Sequence, residues 1–267
     1  MNCDFNFVRS GVPRYQSGLF ERFGVRHAFF TRLGGVSVGV FESLNFAVGI
    51  GEQKDDEAHV MENYAVAAGV FGLDKGDVCR SYQTHTSVVE RAERGRGVTL
   101  PPYDHGVDGI YTDEKGVLLS VRTADCVPVL ICDKNRTICA AVHAGWRGTV
   151  GGIMKNALDS PGFKNIPRDE ILVAIGPCIG QCCYEVGGEL LDIFLAADPG
   201  FGSFFAPSGG KYMLDLTGAN AYTALKCGVP EENISAAGVC TKCLPELFFS
   251  HRRSGHARGT MGAFICL

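Results

Sequence analysis

Residues 123–148 read TADCVPVLICDKNRTICAAVHAGWRG, with two apolar runs at 127–132 and 137–143 separated by a charged, polar stretch. Both runs are continuous rather than alternating and are rich in Val and Ile. That pattern predicts strands covered on both faces, not strands with one face in water. A chemically active side chain flanks each run: Cys126 stands before the first, and His143 closes the second beside a glycine-rich corner. Three readings of the pair compete. They are a structural thiol and imidazole, a thiol nucleophile with its base, or two ligands of one metal ion.

Working outward, similar runs predict strands at 25–30, 77–83, 87–92, 107–112, 117–122 and 170–176. In DDEAHVMENYAVAAGVF (55–71), Val60, Tyr64, Ala67, Ala68 and Phe71 share one face, and acids crowd the first turn, so a helix is expected. GTVGGIMKNALDS (148–160) reads as a helix with Thr149 as its cap, and 187–197 and 214–227 as two amphipathic helices. No linker or short-period repeat divides the chain, and the polar loop 93–106 is too short to be a boundary. The expectation is a single α+β domain, 1–267, of layered mixed β-sheets flanked by helices.

Twenty-five Lys and Arg against 29 Asp and Glu give a net charge of −4, so no global field attracts nucleic acid or an anionic membrane. An anionic substrate needs a local cluster of cations. The start, MNCDFNFVRS, does not read as a secretory signal, and no apolar run approaches a bilayer span. The twelve cysteines are therefore expected to be reduced thiols in a cytoplasm.

Among the seven histidines, His85 (YQTHTSV) and His143 (AAVHAGWRG) stand at strand ends beside small or hydroxylated residues, as Cys126 does. Two imidazoles and a thiolate suit zinc with one position open, although the spacing matches no short-range zinc pattern. CTKC (240–243) and CIGQCC (178–183) read as turn and packing cysteines, because neither supplies the second pair a zinc ribbon needs. Glycines around Trp146 and Arg147 allow close backbone approach, and the helix start after them is a candidate anion seat. Arg32 and the group Arg252, Arg253 and Arg258 are further local cations.

Seven blocks then occur in order: FFTRLGGVSVGVFESLNFAVG, YQTHTSVVE, DGIYTDEKGVLLSVRTADCVPVLI, AAVHAGWRGTVGGI, IGPCIGQCCYEVGGEL, LDLTGANAYTALKCGV and CTKCLPELFFSHRRSGHARGTMGAFI. From about residue 25 to the end they resemble the family labelled polyphenol oxidase or laccase-domain proteins. That family is associated with purine nucleoside phosphorolysis, adenosine deamination and peptidoglycan editing. The resemblance implies a zinc ion on His85, Cys126 and His143, and the affinity order makes copper its competitor at such a site. It also implies a fold similar to the catalytic domain of cytotoxic necrotizing factors, where a Cys–His pair acts instead. Thr86, where many members carry Gly or Ser, is the departure nearest a ligand.

The expected activity is phosphorolysis of adenosine, inosine, guanosine and methylthioadenosine, with hydrolytic deamination of adenosine. Cys126, His143, His85 and Asp125 are the expected catalytic residues. Arg32 and Arg147 would hold phosphate, Asp125 or Glu185 would move protons, and Asn45, Gln83 and Asp108 are candidates for sugar or base contacts. The implied partners are a small-molecule nucleoside and phosphate, with no nucleic acid and no membrane. Amide editing of a cell-wall precursor and a Cys–His thiol hydrolase are the alternatives. A multicopper laccase needs roughly ten histidines, largely in His-X-His pairs. This chain has seven and no such pair.

Overall fold

The two apolar runs of the opening stretch form an antiparallel hairpin, Val127–Asp133 against Cys139–Ala144, in the computed structural model, which describes residues 4–49, 52–95 and 103–267. Cys3 and residues 96–102 of the polar loop lie outside the described residues. Asp133 closes the hairpin: its carboxylate accepts from the amides of Thr137 (2.6 Å) and Ile138 (2.9 Å) and from the Thr137 hydroxyl (3.0 Å). The chain turns through Arg136 at φ 56.

The hairpin is the centre of a six-stranded mixed sheet. Its order is Ile234–Ala236, Ile171–Ile175, Val127–Asp133, Cys139–Ala144, Gly109–Thr112, Val89–Arg91, with parallel pairs at both edges. A second six-stranded sheet runs Phe5–Val8, Arg14–Ser17, Arg26–Phe30, Met261–Cys266, Leu118–Thr123, Val78–Arg80. A three-stranded sheet of Glu185–Val186, Lys211–Leu214 and Phe205–Ser208 completes the strands described.

Side-chain alternation explains why the apolar runs are unbroken. Leu130, Cys132, Cys139 and Ala141 face the second sheet, meeting Phe29, Leu119, Val121, Ala263 and Ile265. Val127, Val129, Ile131, Ala140 and Val142 point the other way, into a core shared with Ile153, Ala157, Leu190, Leu216 and Ala219 of the covering helices. The outer face of the second sheet is closed by Glu57–Gly69, whose Val60, Tyr64, Ala67 and Ala68 pack on Phe30 and Phe264. The layers therefore run helix, sheet, sheet, helix. Each large apolar side chain fully buried there contributes roughly 1.5–3 kcal/mol.

The segment expected to be one helix over 148–160 is two. Trp146–Val150 is capped by Gly145, so Thr149 lies inside the helix rather than before it. Gly152 at φ 78 breaks the path before Ile153–Leu158. Adjacent glycines remove the side chains that would hold a continuous helix, and Gly152 takes the left-handed conformation at no steric cost. The helices Gly188–Ala197 and Leu216–Lys226 fall within one or two residues of their expected bounds. No helix among the described residues is long and apolar enough to cross a membrane.

His27 gives the fold a pH dependence. Its ring is buried, Nε2 accepts from the Ser17 amide at 2.7 Å, and Nδ1 donates to the Val25 carbonyl at 2.9 Å. Burial, with no acceptor free for a second proton, lowers its pKa from 6.5 to about 4. The unfolded chain then binds the extra proton first, so stability is full above pH 6.5 and is lost as pH falls toward 4. The loss amounts to roughly 3 kcal/mol. Urea unfolding across that range checks this. The wild-type slope should be steeper than that of His27→Gln, and equal slopes would refute the assignment.

Candidate metal centre

The hairpin register builds the site. Val127 pairs with Ala144 and Pro128 with His143, so Cys126, one residue outside the ladder, lies beside the end of the partner strand. The next strand, Gly109–Thr112, pairs Gly109 with Val142, which puts Asp108 beside His143. The His143 amide donates to the Asp108 carbonyl at 2.8 Å, and His143 Nδ1 donates to Asp108 Oδ1 at 2.7 Å. With Nδ1 committed to Asp108, Nε2 is the nitrogen left to serve as a ligand once its proton is displaced.

Asp108 also shapes the loop that carries His85. Its carboxylate accepts from the amides of Thr84 (3.1 Å), His85 (3.0 Å) and Thr86 (2.7 Å), and from the Thr86 hydroxyl (2.8 Å). These bonds hold His85 in the left-handed region, φ 63, where a side chain other than glycine is strained. Asp125, directly before Cys126, is likewise left-handed at φ 93. Backbone strain thus sits next to or on two of the three candidate ligands.

The donors converge. Cys126 Sγ is 3.9 Å from His85 Nε2, and one donor atom from each of His85, Cys126 and His143 lies within 4.8 Å of the others. The two imidazole centroids are 5.0 Å apart, with the rings steeply inclined at 75°. His143 is buried, Cys126 half-buried and His85 exposed, so the set opens toward solvent on the His85 side. Gly145 forms the floor: a Cβ there would stand 3.0 Å from both Cys126 Sγ and His85 Cδ2.

Charge in the site follows the same geometry. Burial alone would raise the Cys126 thiol, but His143 beside it and hydrogen bonds from both histidines bring it down to about 6. Burial likewise opposes charge on His143, yet the Cys126 sulfur and Asp108 raise it to about 9. Asp108, despite its burial, is held at about 2 by His143 and Thr86. A thiolate and two imidazoles in an open three-donor arrangement fit a borderline-soft divalent cation with one position left for a ligand. The oriented His143 tautomer and the side-chain-free floor at Gly145 support that fit.

The other expected residues divide by what they touch. Both Asp125 oxygens are occupied: Oδ1 by Thr241 Oγ1 (2.6 Å), Oδ2 by Ser250 Oγ (3.0 Å) and the Arg252 amide (2.6 Å). That carboxylate ties residues 241–252 to the Cys126 corner, and three of its roughly four acceptor sites are taken by this tie. Asp108 is a positioning residue facing His143 and the 84–86 amides, rather than a sugar or base. Gln83 bridges the Arg122 backbone, accepting its amide at 2.8 Å and donating to its carbonyl at 2.6 Å. Asn45 is buried among Ala47, Asp55 and the Thr260 amide.

Arg32 donates to the carbonyls of Glu42 (2.7 Å) and Pro245 (3.2 Å) and stacks 4.4 Å over Phe249. Glu185 is exposed and paired with Lys211 at 2.6 Å. Arg147 is exposed with its guanidinium 4.3 Å over Trp146, and its helix, Trp146–Val150, is too short to offer an anion seat of its own.

Tyr184 is a neighbour that the sequence did not single out. Burial raises its pKa to about 12, and it senses Cys126, Arg252, Asp125 and Arg147. Arg252 stacks over its ring at 5.0 Å, and the half-buried Arg258 senses Asp125 and Cys126. Tyr184 directly follows the CIGQCC run, and no local spacing in the sequence signals its place at the site.

Residues 26–267 match the family model described as multi-copper polyphenol oxidoreductase laccase. The protein named purine nucleoside phosphorylase YlmD from Geobacillus stearothermophilus is 38% identical over 271 residues, covering 97% of this chain and 93% of that one. Adenosine deaminase RL5, from an unknown prokaryotic organism, is 36% identical and covers 75% of this chain and 79% of its own. The crystal structure of the Bacillus licheniformis hypothetical protein YfiH superposes with a TM-score of 0.90 at 30% identity, covering both chains completely.

Proposed function

The chain belongs to the multi-copper polyphenol oxidoreductase laccase family, and on that premise we propose that residues 1–267 form one catalytic domain acting as a metal-dependent purine nucleoside enzyme. Its reactions are phosphorolysis of adenosine, inosine, guanosine and methylthioadenosine, and hydrolytic deamination of adenosine. The names borne by relatives 36–38% identical to this chain and covering 75% or more of it support this reading. The observation that carries it is the open donor set of His85, Cys126 and His143, with His143 oriented by Asp108.

Zinc is the ion this donor set favours, and copper competes by its place in the affinity order. When bound there, the cation supplies Lewis-acid chemistry that activates an attacking oxygen near neutral pH. A multicopper mechanism lacks donors: among the described residues one group within ligating reach contains histidine, and the other consists of cysteines.

The protein's own residues do the rest. Asp108 fixes the His143 tautomer and the His85 loop. Asp125 holds the 241–252 wall against the Cys126 corner. Arg258, which senses Cys126, and Arg147 and Arg252 beside Tyr184 supply positive charge that suits phosphate, while Arg32, Gln83 and Asn45 brace the surrounding backbone. Tyr184 lines the same side and stays protonated, so its hydroxyl can donate to a sugar or phosphate oxygen. The free thiols among the described residues suit a reducing cytoplasm.

Incubation of zinc-replete protein with each nucleoside, with and without phosphate, tests the proposal. Phosphate-dependent release of the purine base with ribose 1-phosphate (5-methylthioribose 1-phosphate from methylthioadenosine), and phosphate-independent release of ammonia from adenosine, are expected. Absence of base and ammonia from all four nucleosides would end it.

A further inference from the structure

The cysteines of CIGQCC and CTKC, read from spacing as unrelated turn residues, are brought together by the fold. Cys178 and Cys240 form an isolated parallel bridge: the Cys178 amide donates to the Val239 carbonyl at 3.3 Å, and the Thr241 amide to the Cys178 carbonyl at 2.9 Å. This lays the turn 180–184 against the turn 240–243. Four sulfurs, from Cys182, Cys183, Cys240 and Cys243, then lie within 4.8 Å of one another.

We propose that these four cysteines form a second, closed metal site that holds zinc through four thiolates and staples the two turns together. Four sulfurs at about 2.3 Å from a tetrahedral zinc stand about 3.8 Å apart. Cys243 Sγ is 3.7 Å from Cys182 Sγ and 3.5 Å from Cys183 Sγ, close to that edge length.

The backbone around Cys240 suits a thiolate. The Gly180 amide donates to Cys240 Sγ at 3.2 Å, and the Cys243 amide, three residues on, turns to the same sulfur. Backbone amides aimed at a ligating sulfur orient it and offset its charge. Gly180 packs on the cluster, where a Cβ would meet Cys240 Cβ at 3.1 Å and Cys182 Sγ at 3.3 Å.

A staple has a reason to be here. Residues 237–250 contain no helix or strand, and a segment that long inside a packed protein needs another tie. The Thr241 hydroxyl on Asp125 links the stapled segment to the residue before Cys126. The second site therefore supports one wall of the first without sharing a ligand with it. Four protein thiolates leave no open position, the pattern of a structural rather than a catalytic zinc.

The test is zinc content per chain after equilibration of the whole protein with zinc in reducing buffer and removal of loosely held ion. Two zinc per wild-type chain are expected, one in Cys126→Ala, and one in the double variant Cys240→Ser, Cys243→Ser. One zinc in the wild type and no change in the double variant would overturn the proposal. Loss of two hydrogen masses per cysteine pair, showing disulfides in protein alkylated at lysis, would also overturn it. If the double variant does not fold, the average zinc ligand set by X-ray absorption of the wild type decides. Sulfur-rich coordination supports two sites, and nitrogen-dominated coordination refutes the second. Phosphorolysis plays no part in this readout, so the proposed activity can fail while the second site stands.

Discussion

Replacing Cys126 with alanine is expected to remove the metal from the first site and to cut nucleoside turnover by more than about 100-fold, with the fold retained. Mutating partners one shell further out already costs about 10–100-fold, so loss of one of three direct ligands exceeds that range. The thiol is half-buried and packs against imidazoles and the Gly145 floor, so its truncation costs stability on the order of 1 kcal/mol. His143→Ala should match it in activity. Circular dichroism and thermal unfolding close to wild type, together with lost metal and lost turnover, would place both residues in the centre. Wild-type metal content in Cys126→Ala would remove Cys126 from the ligand set.

The second large effect is expected from Asp108→Asn, which changes no ligand and barely any volume. Oδ1 accepts from His85 N and His143 Nδ1, while Oδ2 accepts from Thr84 N, Thr86 N and Thr86 Oγ1. An asparagine keeps more bonds if its oxygen takes the Oδ2 side, which turns its NH2 toward His143. Two donors then face each other, and the imidazole relieves the conflict by moving its proton to Nε2, the nitrogen needed as ligand. Metal affinity should fall by about 10–100-fold. Stability should fall by a few kcal/mol, because buried donors around a former carboxylate lose their acceptor. Nitrogen NMR of the His143 ring in metal-free protein, at a pH well above 9 where the ring is neutral, reads the tautomer directly. A proton still on Nδ1 in Asp108→Asn would show that Asp108 does not set it.

What the chain shows locally was legible. The unbroken runs at 127–132 and 137–143 announced strands buried on both faces, because residues of each parity meet a different apolar layer. The helices at 187–197 and 214–227 were visible in their periodicity. What depends on long-range pairing was not. Met261–Cys266 lies between Arg26–Phe30 and Leu118–Thr123, near the middle of its sheet, and no neighbour in sequence signals partners that far away.

The site divides in the same way. His85, Cys126 and His143 are legible as candidate ligands from residue type, strand-end placement and the family resemblance, and the fold brings their donor atoms together. The work of Asp108 follows only from the register that sets Gly109 opposite Val142, and that of Asp125 from a contact with Thr241 more than a hundred residues away. The four-cysteine cluster escaped because its halves are 60 residues apart and unlike in spacing.

The thiolate and imidazolium of Cys126 and His143 would also serve a nucleophile and its base, so the sharpest measurement separates a ligand from a nucleophile. It is phosphate-dependent release of hypoxanthine from inosine before chelation, after chelation, and after zinc is restored, all under reducing conditions. Activity lost to the chelator and recovered with zinc is the predicted result. Activity that persists in chelator and disappears on alkylation of Cys126 would contradict the metal centre and make the thiol the reacting group.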